Sequence, residues 1–416
     1  MQVVYERCCG LDIHKRSISA CLLLPGPGRT RHQEVRTFGT TSAELLTLRT
    51  WLVAMGCTHV AMESTGPYWR PIFNLLEGTV TLVLANPSHI KAVPGRKTDV
   101  GDAEWIAELL RHGLIRPSFV PPKSLRELRE LTRYRKALIQ ERTAEVNRVQ
   151  KVLEGANIKL ASVVTDIMGM SSRAMLDALV DGSTDVQAMA ELARGRMRKK
   201  RAELEQALVG AMGDHQRFVV RHQLAHIDFL GATIDQCSAE IAERLDPVAV
   251  QRERLCTIPG VGQRTAEVIL AELGWDMQQF PSAKHLASWA GLCPGNHESA
   301  GKRKSGRTRQ GSKWLREALV EAAQAAARTR STYLAAQYRR LAARRGANKA
   351  LVAVAHSILV IVYHLLKHET VYEDLGHTYF DQRDRDHVSR RLVSRLAALG
   401  YTVTVEAPRS ADDTTT

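Results

Sequence analysis

Two aspartates three residues apart, Asp99 and Asp102, stand in Lys97-Thr98-Asp99-Val100-Gly101-Asp102 at the head of an apolar-periodic run, Trp105, Ile106, Leu109 and Leu110. The spacing predicts a helix opening near Thr98 with both carboxylates on one face of its first turn, where they repel each other. The positive end of a helix dipole would by itself welcome acids there. Two more carboxylates close apparent strands upstream: Asp12 ends Cys8-Cys9-Gly10-Leu11-Asp12, and Glu63 ends Val60-Ala61-Met62-Glu63. A charge in such segments is costly unless something cationic meets it. Asp12, Glu63, Asp99 and Asp102 therefore read as one cluster around a divalent ion. Hard oxygen donors without a competing Cys/His cluster favour magnesium.

A second group lies far downstream. Between Ser299 and Arg316 the chain holds Lys302, Arg303, Lys304, Arg307, Arg309 and Lys313 and no acid. Such a run can simply be solvated or bind phosphate. Ser299 and Ser305 are embedded in it, and a hydroxyl among cations is a candidate nucleophile toward a phosphodiester, because positive charge stabilises its alkoxide and the transition-state oxygens. A third group, Ile258-Pro259-Gly260-Val261-Gly262, precedes a helix from Thr265 to Leu273. It reads as a helix-hairpin-helix-like turn in which Gly260 and Gly262 let backbone N–H groups approach a phosphate, or as a purely structural turn. His14 and Lys15 beside Asp12 are candidates for acid, base or phosphate contact. Tyr68 and Trp69 suit either base stacking or core packing.

The acids need a sheet to position them. Val3 to Ile13, Ser17 to Leu24 and Arg31 to Phe38 read as three consecutive strands, the second turned into the third by Pro25-Gly26-Pro27-Gly28. A helix from Thr41 or Ser42 to Met55, a strand Thr58 to Glu63, a helix Pro67 to Glu77 and a strand Thr79 to Ala85 follow. That is the element order of a ribonuclease H-like α/β domain, with Asp12 and Glu63 at strand ends where open sheets place their sites. Pro117 to Pro122 reads as a linker, and Leu125 to Gly155 as one long charged helix. A second charged helical stretch runs from about Val186 to Leu245, broken by Gly210 and Gly213, which together predict a coiled-coil arm. Helices Trp314 to Arg328, Thr332 to Arg345 and Lys349 to Leu366 come next, then a surface helix from Tyr379 to Gly400 and a polar tail, Arg409 to Thr416, read as disordered. The domains expected are 1–118 (metal-binding), 119–250 (arm), 251–370 (C-terminal, with the serine loop) and 371–416 (extension). The fold class is α/β plus all-α.

Lys and Arg number 58 against 44 Asp and Glu, a formal charge of +14, which makes nucleic acid the first partner to consider. Seven cysteines at 8, 9, 21, 57, 237, 256 and 293, without C-x-x-C spacing, suggest neither a disulfide framework nor a zinc site, and fit a reducing cytoplasm. The apolar run Ala350 to Leu366 carries His356, Ser357 and His364 and reads as a buried helix rather than a membrane span.

Taken in order, Gly10-Leu11-Asp12-Ile13-His14-Lys15, Met62-Glu63-Ser64-Thr65-Gly66, Lys97-Thr98-Asp99-Val100-Gly101-Asp102-Ala103, Ile258-Pro259-Gly260-Val261-Gly262 and Ser299-Ala300-Gly301-Lys302 resemble the DEDD transposases of the insertion sequence one-ten family over roughly residues 3 to 405. The resemblance implies a RuvC-like N-terminal domain whose four acids, here Asp12, Glu63, Asp99 and Asp102, bind magnesium. It also implies a coiled-coil arm and a C-terminal transposase domain with a nucleophilic serine. Ser299 matches that serine, although Ala300 replaces the first of the two glycines that usually follow, which keeps Ser305 as the alternate. The partners implied are double-stranded DNA at element ends and target, a structured guide RNA, and a homodimer that assembles to a tetramer.

The chemistry expected is cutting and rejoining of DNA strands through a phosphoserine link, with magnesium polarising the scissile phosphate and Arg303, Arg307 and Arg309 cradling it. Two alternatives stay open. One is a RuvC-like nuclease or junction resolvase that uses water, and the other is a non-catalytic DNA-binding protein.

Overall fold

Short apolar runs, buried on both faces in the central strands, build one sheet from β1 (Cys8–Ile13), β2 (Ser17–Pro25), β3 (Arg31–Gly39), β4 (His59–Glu63) and β5 (Thr81–Ala85). This computed structural model describes residues 2–26, 30–64, 66–93, 101–294, 297–299, 302–305, 308 and 311–405, with 88, 91, 92, 297–299 and 302–305 described by backbone alone. The strand order is β3-β2-β1-β4-β5. β1, β2 and β3 run antiparallel in sequence, whereas β4 and β5 run parallel to β1. Among the described residues four helices accompany the sheet: α1 (Ser42–Ala54), α2 (Trp69–Leu76), α3 (Pro87–Ala92) and α4 (Asp102–Arg111).

The two faces are cleanly divided. Cys9, Leu11, Val60 and Met62 pack with Leu48, Trp51, Leu52, Ile72 and Leu76 of α1 and α2. Cys8, Ala61 and Ala85 pack on the opposite face with Ala103, Ile106, Ala107 and Leu110 of α4. Trp69 belongs to the first core, with its ring edge-on to Phe73 at 5.6 Å, so packing is its observed role. The outermost strand, β3, is mostly exposed and carries Arg31, His32, Glu34 and Arg36.

This mixed α/β sheet with its flanking helices is consistent with a nuclease-like domain. Three details differ from the sequence reading. β1 begins at Cys8 rather than Val3, because the N–H groups of Val4 and Tyr5 both donate to the Arg111 carbonyl at the end of α4 instead of to a strand. α3 was not anticipated in Pro87-Ser88-His89-Ile90, where only Ile90 supplies an apolar anchor. α4 begins at Asp102, with Gly101 as an extended N-cap (φ −61°, ψ 152°), and not near Thr98.

The chain divides into two compact units, Met1–Lys123 and Ser124–Thr416. In the second, the long helix Lys123–Gly155 ends where the sequence indicated, and Leu138 meets Leu230 and Ile234 of a second long helix, Asp214–Leu245. The expected helical stretch from Val186 is cut into Val186–Glu191, a 3-10 turn Gly195–Lys200 and Arg201–Leu208. These short helices, with Met170–Val180, have a core of their own around Leu160, Met175, Leu176 and Leu204, so the region between the long helices is a packed bundle.

The largest core joins Ala249–Cys256, Gln263–Leu273, Ala283–Trp289, Lys313–Arg328, Tyr333–Arg345 and Ala347–His368. Among the described residues, Ala347–His368 is the one helix long and apolar enough to cross a membrane. Its Val354, Ile358, Leu359, Val362 and Tyr363 are buried in this core, as a core helix requires. The extension forms two helices, Tyr379–Arg383 and Arg385–Ala398, rather than one, because Asp384 leaves helical geometry (φ −135°, ψ 48°). The tail read as disordered, Arg409 to Thr416, lies outside the described residues.

Candidate active site

Strand parity decides where the first acids lie. In β1, Cys8 faces α4, so Gly10 and Asp12, two and four residues on, share that face; in β4, Ala61 faces α4, so Glu63 does too. β1 and β4 are parallel neighbours with Leu11 level with Met62, which sets Asp12 and Glu63 side by side at the carboxyl ends of adjacent strands. α4 crosses directly above them. A Cβ placed on Gly10 would stand 2.3 Å from both the Ala103 carbonyl oxygen and the Ala107 nitrogen, so only glycine allows the helix this close. Asp102 immediately precedes Ala103 and opens the helix. Asp12 and Glu63 thus share one end of the face that α4 packs against, and Asp102 opens that helix at its positive end.

Asp12 is partly exposed, with His14 Nε2 3.1 Å from its Oδ2. That contact places the His14 ring against the carboxylate. Asp99, the fourth predicted acid, lies outside the described residues. Among the described residues no three acids, histidines or cysteines are yet close enough to hold an ion together. The donor set nevertheless fits a hard divalent cation: two carboxylates at neighbouring strand ends and a third at the head of α4, flanked on the sheet by thiols that burial makes poor ligands. Cys8 and Cys21 are pushed up to about 12 by burial, which keeps them protonated and out of competition for a metal.

The serine-bearing segment is not a loop. β6 (His297–Ser299) and β7 (Lys302–Ser305) form an antiparallel hairpin in which Ser299 pairs with Lys302 and His297 with Ser305. Ser299 therefore sits at the tip and Ser305 at the base, with Lys302, Arg303 and Lys304 along one strand. Arg307 and Arg309 lie outside the described residues. The base is fixed three ways. Pro294 bridges Thr308, whose hydroxyl accepts from Arg316 at 2.9 Å, and Gly311 lies so close to the Ala290–Gly291 peptide that a Cβ would meet it at 2.3 Å. The third tie is Ser312 Oγ, which donates to Glu272 Oε2 at 2.9 Å while capping the helix Lys313–Arg328.

Glu272 belongs to a buried ionic network that sequence reading missed. It is 1% exposed and receives both arms of Arg133, at 2.7 and 2.9 Å. Arg129 donates to the Ala271 carbonyl at 2.9 Å and to that of Glu272; burial lowers its guanidinium to about 10, still cationic at neutral pH. One turn earlier, Glu267 Oε2 lies 2.7 Å from Arg135 Nη1, off the N–H axis, so this contact is ionic rather than a directed hydrogen bond. A signal existed: both glutamates fall among Ala266, Ile269, Leu270, Ala271 and Leu273, where a solvated acid has no place. Ser312→Ala is expected to remove about 1–2 kcal/mol, the worth of a helix cap plus one hydrogen bond to Glu272, whose Oε2 keeps Arg133, read as a lower urea midpoint.

The glycine turn separates the two glycines' roles. Gly260 has φ +87° and a Cβ there would stand 2.2 Å from the Ala322 carbonyl, so Gly260 is a packing residue against Lys313–Arg328. Gly262 caps Gln263–Leu273 with open space around it, which leaves it as the exposed glycine of the pair. Lys313, at the head of its helix, is exposed and 3.8 Å from Glu317.

Two family models match the chain: a DEDD transposase model of the IS110 family over residues 9–158, and "Transposase IS116/IS110/IS902 family" over residues 252–339. The first covers Asp12, Glu63, Asp99 and Asp102 together with Arg129, Arg133 and Arg135, and the second covers the glycine turn, the hairpin, Glu267 and Glu272. The chain is 28% identical to a "Probable family 20 transposase" of Pseudomonas aeruginosa, over 75% of this chain and 85% of that one. It is also 28% identical to the transposase for insertion sequence element IS1111A of Coxiella burnetii (76% and 79% covered) and 26% identical to a pilin gene-inverting protein of Moraxella bovis (70% and 73%). A DEDD domain suggests a divalent metal, in keeping with the carboxylates at the strand ends. With both conserved-model segments in the expected order around these acids and this hairpin, the chain belongs to the IS110 family of transposases, enzymes that recombine DNA.

Proposed function

We propose that this transposase cuts and rejoins DNA strands through Ser299, with magnesium held by Asp12, Glu63, Asp99 and Asp102. The observation that supports it most is the placing of Asp12 and Glu63 at neighbouring strand ends on the face that α4 packs against, with Gly10 shaped to admit the helix that Asp102 opens. The ion, when bound there, supplies positive charge to the non-bridging oxygens of the scissile phosphate. Ser299 Oγ forms a bond to phosphorus as one P–O bond to deoxyribose breaks; the serine proton is given up and the departing alkoxide gains one. The number of phosphoester bonds is conserved, so a second strand's hydroxyl can reverse the step. Lys302, Arg303, Lys304, Arg307, Arg309 and Lys313 hold the phosphate, and Gly262 offers a helix N-terminus to the backbone. The double-stranded DNA is that of element ends and target, and a structured RNA and assembly of dimers into a tetramer complete the proposed complex.

Trapping protein on DNA after denaturation tests this. Wild type should give a covalent adduct, Ser299→Ala none, and Asp12→Ala a loss of cutting of a thousandfold or more, on the order of what losing metal assistance costs. Cutting intact in Ser299→Ala would favour a water-using nuclease. An adduct lost only in Ser305→Ala would move the nucleophile to the hairpin base.

A further inference from the structure

Residues beyond those matched by the family models close a groove against the helix on which the second match ends. The extension is fastened to the C-terminal unit at several points: the Tyr372 N–H donates to Thr257 Oγ1 at 3.0 Å, and Asp374 accepts from the Tyr333 N–H at 2.9 Å and from the Tyr372 hydroxyl at 3.1 Å. Tyr333 stacks on Phe380 with centroids 5.1 Å apart and meets Tyr379 edge-on at 5.3 Å. These ties set the short helix Tyr379–Arg383 and its successor Arg385–Ala398 against Tyr333–Arg345. The groove left along them has a volume of about 560 Å³ and is lined by Arg339, Arg340, Arg344 and Arg391.

Its charge is built and unspent. Among the described residues Arg340, Arg344 and Arg391 have no ion-pair partner and all three are exposed. Arg340 is held with its guanidinium 5.4 Å from the Phe380 ring centroid, which orients it without neutralising it. Asp381 and Asp384 also line the groove, yet neither pairs with these arginines, so four guanidiniums face two carboxylates. Guanidiniums on two elements facing one trough match a repeating anion rather than a single small one.

We infer that the groove between Tyr333–Arg345 and Arg385–Ala398, lined by Arg339, Arg340, Arg344 and Arg391, binds the phosphodiester backbone of a nucleic acid. It rests on the reading of this chain as an enzyme acting on DNA, and it assigns a role to a segment outside the matched family residues. The contact reads no sequence; it lengthens the footprint and carries it away from the serine hairpin.

The test is salt dependence. Full-length protein is titrated with a labelled 40-base-pair duplex, and separately with a labelled single-stranded RNA, across a sodium chloride series. Each phosphate neutralised contributes roughly 0.9 to the slope of log affinity against log salt on a duplex and about 0.7 on a single strand. Arg340→Ala/Arg344→Ala/Arg391→Ala should lower the slope by about 2–3 on whichever probe the groove takes, while the Lys triple variant keeps it. Because Arg340 helps seat Phe380, Arg344→Ala/Arg391→Ala with Arg340 intact is the check, and it should lower the slope by about 1–2 with an unchanged melting curve. A slope lowered on the duplex, on the RNA or on both supports the groove and names its source. Slopes unchanged on both probes overturn it. Wild type that binds neither probe would instead sink the DNA-enzyme reading itself.

Discussion

Gly10→Ala is expected to cost the N-terminal unit about 3 kcal/mol and to slow strand cutting about a hundredfold. The added methyl would meet two backbone atoms of α4 at 2.3 Å, and backbone cannot rotate aside as a side-chain tip can. Either the strand or the helix must move, and overpacking of this kind typically costs about 1–3 kcal/mol, with the rigid partners here placing it at the upper end. The same displacement carries Asp102 away from Asp12 and Glu63, and a shift of about 1 Å in a catalytic arrangement is worth on the order of a hundredfold in rate. Gly231→Ala is the control, since open space surrounds that position inside the helix Asp214–Leu245 and no contact with DNA or metal is assigned to it. Urea unfolding and cleavage rate, measured on both variants, check the pair. A Gly10→Ala protein as stable and as active as wild type would mean that α4 does not hold the acids in place.

Arg135→Ala is expected to destabilise the C-terminal unit by about 3–5 kcal/mol, because it strands Glu267 as an uncompensated charge. Both side chains are only 3% exposed, so water cannot step in for the missing partner. Pairing Arg135→Met with Glu267→Leu should recover most of the loss, since two apolar side chains of similar reach owe no desolvation. A double-mutant cycle in urea measures the coupling, which should exceed about 1 kcal/mol for groups in direct contact. The pair lies one turn from Glu272, which receives Arg133 and Ser312, so its packing also bears on the footing of the hairpin.

How much of this was legible beforehand follows from what each residue answers to. Short apolar runs bounded by turn residues exposed the strands and put Asp12 and Glu63 at strand ends, whereas the face they share needed the pairing partners of each strand. The start of α4 was less legible. Acids and threonine near residue 98 are as good an N-terminal signal as Gly101, and only the close approach over Gly10 shows where the helix must begin. The division of roles between Gly260 and Gly262 also needed the fold, since two glycines in one turn look alike until one is found pressed against Ala322. Ser299 was identifiable as a hydroxyl among cations, whereas its place at a hairpin tip was not, because Lys302-Arg303-Lys304 has no strand-like alternation. Arg135 was hidden for the opposite reason: read singly on a long charged helix it looks solvated, and although Glu267 stands out among apolar neighbours, only tertiary packing names its partner.

β3 has a consequence of a different kind. As the sheet's outer strand it leaves one row of backbone donors and acceptors uncapped, a row that a second molecule could extend. Arg31, His32, Glu34 and Arg36 keep that row wet and charged, and Arg31 is further tied to Glu108. A rim so well hydrated resists fusing with its counterpart in a neighbouring copy, which leaves any self-association of this enzyme to its helices.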